Sequence, residues 1–162
     1  METRRPEVDI AILRHDQHLL YTYLHDLDGW DLHYKQGNRS IPWHNEHLEI
    51  PICELRAEAL LGHAPGFNIQ IQDTDPDETK WLYRKNARVS LALDHLFLTN
   101  ELGIPFMTPE VVLLHATENS YFWMTWDHYF SGYDPDRKRK SWLITALKWT
   151  DPDHPWLEDL IK

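Results

Sequence analysis

The 162-residue chain holds one cysteine, six glycines and no apolar run long enough to cross a bilayer. Each scarcity removes a class of protein. Cys53 has no second cysteine to pair with and no Cys-His spacing around it, so an internal disulfide and a cysteine-based zinc site are both excluded. In Ile50-Pro51-Ile52-Cys53 it reads as a small apolar residue. The longest apolar stretches fall well short of the ~20 residues a spanning helix needs, and Met1 to Glu7 lacks the apolar core of a signal peptide. A cytoplasmic protein with no membrane partner is expected. Basic residues are also few. With 16 Lys+Arg against 26 Asp+Glu, the formal charge of −10 disfavours sequence-independent nucleic-acid binding, which depends on cations facing phosphates, and favours attraction of a cationic small molecule.

What is present fits a folded α/β chain. Hydrophobic residues make up 42% of it, too many for intrinsic disorder, and the length suits one domain with a sizeable core. Val8 to Leu13 reads as a strand. Asp16 can cap a helix over 17–27 with an apolar stripe of Leu19, Leu20, Tyr23, Leu24 and Leu27, ended by Asp28-Gly29. Trp30 to Lys35 alternates as a second strand, 41–51 is irregular around its prolines, and Ile52 to Arg56 returns as a short strand. Phe67, Ile69 and Ile71 alternate with Asn68, Gln70 and Gln72, the pattern of a strand with one polar face; Asp73 to Thr79 turns the chain and Lys80 to Arg84 runs back.

The second half reads as helical: Ala92 to Glu101 with Gly103 as its stop, Thr108-Pro109-Glu110 opening a helix through Leu114, and Asp134-Pro135 opening another with Trp142, Leu143, Ala146 and Leu147 on one face. Arg137 to Lys140 is basic enough for phosphate but short, and reads better as a solvated helix face. Tyr121, Phe122, Trp123 and Trp126 read as core or as a stacking surface. The ending Asp153-His154-Pro155-Trp156-Leu157 is apolar where termini usually fray, so Trp156 is expected to pin the tail. Residues 1–90 are thus the sheet-bearing part and 91–162 the mainly helical part of one domain.

Chemistry is concentrated at Glu7-Val8-Asp9. Residues two apart on a strand share a face, so these carboxylates point the same way. Two hard oxygen donors side by side suit Mg²⁺, which takes one or two carboxylates and fills its octahedron with water and substrate phosphates. The plain alternative is a solvated strand start. His44, His47 and His63 are close in sequence but match no helical ligand spacing, so ligation there requires the fold to bring them together.

Several blocks follow one another in a familiar order: Glu7-Val8-Asp9-Ile10, Gly29-Trp30-Asp31-Leu32-His33, Trp81-Leu82-Tyr83-Arg84-Lys85, Gly103-Ile104-Pro105-Phe106 and Pro109-Glu110-Val111-Val112-Leu113-Leu114, with Asp153-His154-Pro155-Trp156-Leu157 at the end. The chain resembles the small bacterial nucleotidyltransferase-domain proteins related to aminoglycoside and lincosamide adenylyltransferases. The resemblance implies a mixed sheet flanked by helices and a helical C-terminal third. It implies transfer of a nucleoside monophosphate, from ATP first among the triphosphates, to a hydroxyl of a small and cationic acceptor. Glu7 and Asp9 would hold Mg²⁺, Asp73 would act as base or third ligand, and Arg84 and Lys85 would meet phosphate. Asp73 is also an ordinary turn acid beside Asp75 and Asp77.

The chain departs from that pattern in three places. Glu7 stands where the family has Asp, and a Lys expected after the Leu-Leu pair is replaced near Ala116. The Gly-Gly or Gly-Ser turn that precedes the acidic strand has no counterpart before Glu7, which reads as an N-terminal truncation, a late start codon or a degenerate copy. Two other functions stay open: a non-catalytic binding module of the same fold, and a partner subunit or homodimer that completes its sheet with a second chain.

Overall fold

The computed structural model describes residues 7–27, 29–60, 65–116 and 136–161. Two compact units divide the chain, Met1–Thr74 and Asp75–Lys162. The architecture is mixed α+β, and among the described residues no helix is long and apolar enough to cross a membrane.

The first unit is built on β1 (Glu7–Leu13), α1 (Gln17–Asp26), β2 (Trp30–Gln36), β3 (Arg39–Pro42), β4 (Glu54–Ala59) and β5 (Gly66–Thr74). Its strands lie in the order β3, β2, β4, β5, β1. β1 runs parallel to β5 and every other pairing is antiparallel. The register sorts the side chains into two faces. Val8, Ile10 and Ile12 stand opposite Phe67, Ile69 and Ile71. Leu55 and Ala57 stand opposite Ile69 and Phe67, and Leu32 and Tyr34 opposite Ala57 and Leu55. That face carries the buried core of Leu24, Leu32, Trp43, Leu48, Leu55, Ala57, Ile69 and Ile71.

α1 follows a 3₁₀ turn at Arg14–Asp16, and Asp16 stands before the helix without making a side-chain cap. Its buried residues are Gln17 and Leu24, with Leu20 and Tyr21 packed on the core. Leu19, Tyr23 and Leu27, expected on the buried stripe, are exposed. The helix carries two overlapping apolar stripes, and the core takes the one in line with Gln17 and Leu24. Strand structure also reaches Ile41 and Pro42, inside the stretch expected to be irregular.

The second unit begins with strands. β6 (Lys80–Leu82) pairs antiparallel with β7 (Ser90–Ala92), and β8 (Phe97–Thr99) with β9 (Pro105–Met107). This corrects the helix expected over Ala92 to Glu101. Only a 3₁₀ turn forms, at Leu93–His95. Asn100 then closes a hairpin, its Oδ1 accepting from the N–H groups of Leu102 at 3.0 Å and Ile104 at 2.9 Å. Gly103 is a turn residue at φ +75°, not a helix stop. Thr108 links hairpin to helix. Its hydroxyl donates to Leu96 O while its own carbonyl accepts from Val111 and Val112, opening α2 (Pro109–Ala116) with proline in the first turn.

α3 (Arg137–Thr150) is capped by Asp136, whose carboxylate accepts from Lys138 N and Arg139 N. Those hydrogen bonds hold its pKa below the usual carboxylate range. Leu143, Ala146 and Leu147 are buried, and Trp142 donates its indole N–H to Ser90 O at 2.9 Å. α4 (Trp156–Ile161) ends the chain with Trp156, Leu157 and Leu160 buried, so the apolar tail is ordered as expected. The expected aromatic segment at Tyr121, Phe122, Trp123 and Trp126 and the helix start at Asp134-Pro135 lie outside the described residues.

Candidate functional site

The sheet face opposite the core is polar and carries the first candidate site. Glu7 and Asp9 project there from β1, and Asp9 stands opposite Asn68 of β5. Asn68 joins the acids: its Nδ2 donates to Glu7 Oε2 at 3.0 Å and to Asp9 Oδ1 at 3.1 Å. An amide NH₂ has two hydrogens, and both are spent on this pair. Arg56, opposite Asn68 on β4, donates to Glu7 Oε1 and lies 2.8 Å from Glu58 Oε1 through its Nε. The remainder of the face continues the pattern, with Lys35 2.9 Å from Glu54.

The arrangement holds two carboxylates side by side, with both oxygens of Glu7 and one oxygen of Asp9 taken by hydrogen bonds. Asp9 is exposed, and its Oδ2 takes no hydrogen bond from a described residue. A hard cation suits such oxygens, with water or phosphate completing the shell. Arg56 already neutralises Glu7, so Asp9 is the more available ligand. Among the described residues no cluster of three or more His, Cys, Asp or Glu side chains has the geometry of a metal site.

Asp73 is placed elsewhere. Counting along β5, it stands five residues beyond Asn68, about 16 Å at the rise of a strand, and odd spacing puts it on the core-side face. There its Oδ1 accepts from Arg14 Nε, whose Nη1 also donates to Leu48 O at 2.8 Å. Both side chains are largely buried, at 13% and 16% exposure, so this is an internal ion pair tying the end of β5 to the turn before α1. Arg14 Nη2 is buried without a hydrogen-bond partner, so the guanidinium depends on Asp73 for most of its compensation.

Arg84 and Lys85 belong to the second unit. They are exposed in the tight connection after β6, closed by Asn86 N donating to Tyr83 O at 3.0 Å and Val89 N to Asn86 O at 2.9 Å. The acid that makes the turn is Asp75, not Asp73, the residue weighed for that role from the sequence. It accepts from the N–H groups of Lys80 and Thr79 and from the Thr79 hydroxyl, and the bond from Lys80 leads in lowering its pKa. In the same unit Glu110 is buried on α2, 3.9 Å from Arg139, and burial pushes its carboxyl above the usual range.

Sequence reading missed Asn68 and Arg56. Their signal was present in part, since both occupy polar positions of strands whose apolar partners face the core. What was missing was the register that puts them beside Glu7 and Asp9, which are 49 to 61 residues away. No family model, curated protein or solved structure matches the chain.

Proposed function

We propose that the first unit is a nucleotidyltransferase-like domain that binds a nucleoside triphosphate with Mg²⁺ at Glu7 and Asp9, for transfer of a nucleoside monophosphate to a hydroxyl of a small molecule. The observation that carries this reading is the Asn68 amide bridging the two carboxylates on an exposed sheet face. That bridge holds two hard donors in the convergent arrangement a metal-bound triphosphate needs, in the strand where the sequence resemblance expects them. When bound, the metal would orient the phosphates and neutralise charge on the leaving pyrophosphate.

The chain's own residues would then do three things. Asp9 offers an open carboxylate oxygen, Glu7 a second one shared with Arg56, and Asn68 keeps both from swinging apart. Arg56 is 46% exposed and stands beside the pair, where it would meet a bound phosphate as a cation. The acidic surface would attract an amine-bearing acceptor. ATP is the triphosphate to try first.

A second reading is a non-catalytic binding module. It is favoured by Asp73, which the resemblance assigns as base and which instead holds Arg14. Calorimetric titration of ATP with and without Mg²⁺ separates the two. Metal-dependent binding in the wild type that disappears in Asp9→Asn supports the transferase reading, and its appearance with labelled nucleotide on an added aminoglycoside-like acceptor would establish transfer. Binding that ignores both metal and mutation favours the module.

A further inference from the structure

His44, His47 and His63 are neighbours in the sequence; His63 lies outside the described residues, and the fold brings His47 beside His18 of α1. His18 Nε2 and His47 Nδ1 lie 3.4 Å apart, with ring centroids 5.5 Å apart. The partners on the other sides of these rings decide what occupies that gap.

Gln17 is fully buried and its amide is oriented by the main chain: the Leu48 N–H can only donate, and it donates to Gln17 Oε1 at 2.7 Å. The opposite end, Nε2, is therefore the donor, and it lies 2.9 Å from His47 Nδ1. His47 Nδ1 is thus an acceptor, which leaves the ring hydrogen on Nε2, facing Glu49 Oε1 at 3.4 Å. His18 Nδ1 is 2.8 Å from Asn45 Oδ1, an acceptor, so the hydrogen of that ring sits on Nδ1. His18 Nε2 consequently carries a lone pair 3.4 Å from His47 Nδ1, whose own single lone pair is held by Gln17.

We propose that His18 Nε2 and His47 Nδ1 form a surface site for a borderline divalent cation of the Zn²⁺ class. Three features support it. A Zn–N bond of about 2.0–2.1 Å sets the nitrogen–nitrogen edge of a tetrahedron at about 3.3–3.4 Å, which the pair already matches. The second nitrogen of His18 is hydrogen-bonded to Asn45, the outer-shell arrangement that orients ligating histidines, and Glu49 lies 3.4 Å from the second nitrogen of His47.

Release of His47 by Gln17 is also inexpensive. Gln17 Nε2 has two hydrogens and three acceptors within reach, His47 Nδ1, Arg14 O at 3.0 Å and Leu48 O at 3.5 Å, so giving His47 to a metal leaves one acceptor for each hydrogen. Water would complete the tetrahedron, since the described residues supply no third ligand. Imidazole nitrogen is a poor ligand for Mg²⁺, so this site stands apart from the one proposed at Glu7 and Asp9.

The test is calorimetric titration of the full chain with Zn²⁺, alongside nitrogen NMR of the histidine rings. One site per chain is expected, weakened about tenfold or more by His18→Ala and by His47→Ala. His33→Ala, which removes a histidine from the polar sheet face, should leave it unchanged. The resonances of His18 Nε2 and His47 Nδ1 should shift with Zn²⁺ and stay in place with Mg²⁺. Because His47 rests on buried Gln17, its variant is checked by circular dichroism. His18 is exposed, so His18→Ala decides the matter alone. Wild-type affinity in His18→Ala, or no Zn²⁺ site in the wild type, would overturn the proposal.

Discussion

Glu7 and Asp9 stand on one face of the first unit's sheet and Asp73 on the other, and the two sets of carboxylates are neutralised in different ways. Asp73 is buried against Arg14, whose guanidinium also holds Leu48 O and has no alternative anion among the described residues. Glu7 shares a half-exposed Arg56 with Glu58, and among the described residues Asp9 has only a neutral amide. A buried pair resists separation because either partner alone is an uncompensated charge in a poor solvent for charge. An exposed pair exchanges partners with water and ions at little cost. The same residue type is therefore structural on the core face and available for chemistry on the polar face.

The largest effects test the structural side of that contrast. Asp73→Ala should destabilise the protein by about 3–5 kcal/mol, because it strands Arg14; a denaturant midpoint unchanged from wild type would place Asp73 with the exposed acids. Trp156→Ala in the second unit should cost a similar ~3–5 kcal/mol, mainly through lost packing, which calibrates what burial of an uncharged side chain is worth. If thermal denaturation showed no loss there, the C-terminal helix would be a loose appendage despite its buried face.

How much of this was legible beforehand depended on whether the signal was local. β1, β2 and β5 were readable because alternation is a property of neighbours, and the helix at Pro109 because Thr-Pro-Glu is a start signal within four residues. The segment Ala92 to Glu101 was misread because Leu93, Leu96 and Phe97 imitate a helical spacing, whereas the Asn100 side chain satisfies the turn N–H groups and makes a hairpin there. Gln17 was unreadable in the same way. A glutamine in a helix looks solvated until the backbone of Leu48, 31 residues on, is found bonded to its amide. Of the candidate site, the shared face of Glu7 and Asp9 followed from strand period, while Asn68, Arg56 and the Arg14 pairing of Asp73 required the sheet register.

Smaller effects come from exposed charges. Asp136→Ala should lower stability modestly by uncapping α3. Since the folded-state carboxyl is held below its ordinary range, that contribution is full above the unfolded value and is lost as pH falls through the lowered folded one. Wild type and variant should therefore converge in stability on acidification, and a gap that persists in acid would mean the loss comes from something other than the ionised cap. Arg56→Ala should change stability by less than about 1 kcal/mol, as expected of a solvated ion pair. A loss as large as that in Asp73→Ala would show that the polar face is held together by its charges and would erase the contrast between the two faces.

The most direct test sets Asp9→Asn against Asp73→Asn in one calorimetric experiment, with ATP titrated in the presence and absence of Mg²⁺ at a temperature where both variants are folded. The account predicts that Mg²⁺-dependent binding vanishes in Asp9→Asn and persists in Asp73→Asn, since only the first acid faces the site. Equal binding in both variants, or loss confined to Asp73→Asn, would contradict it.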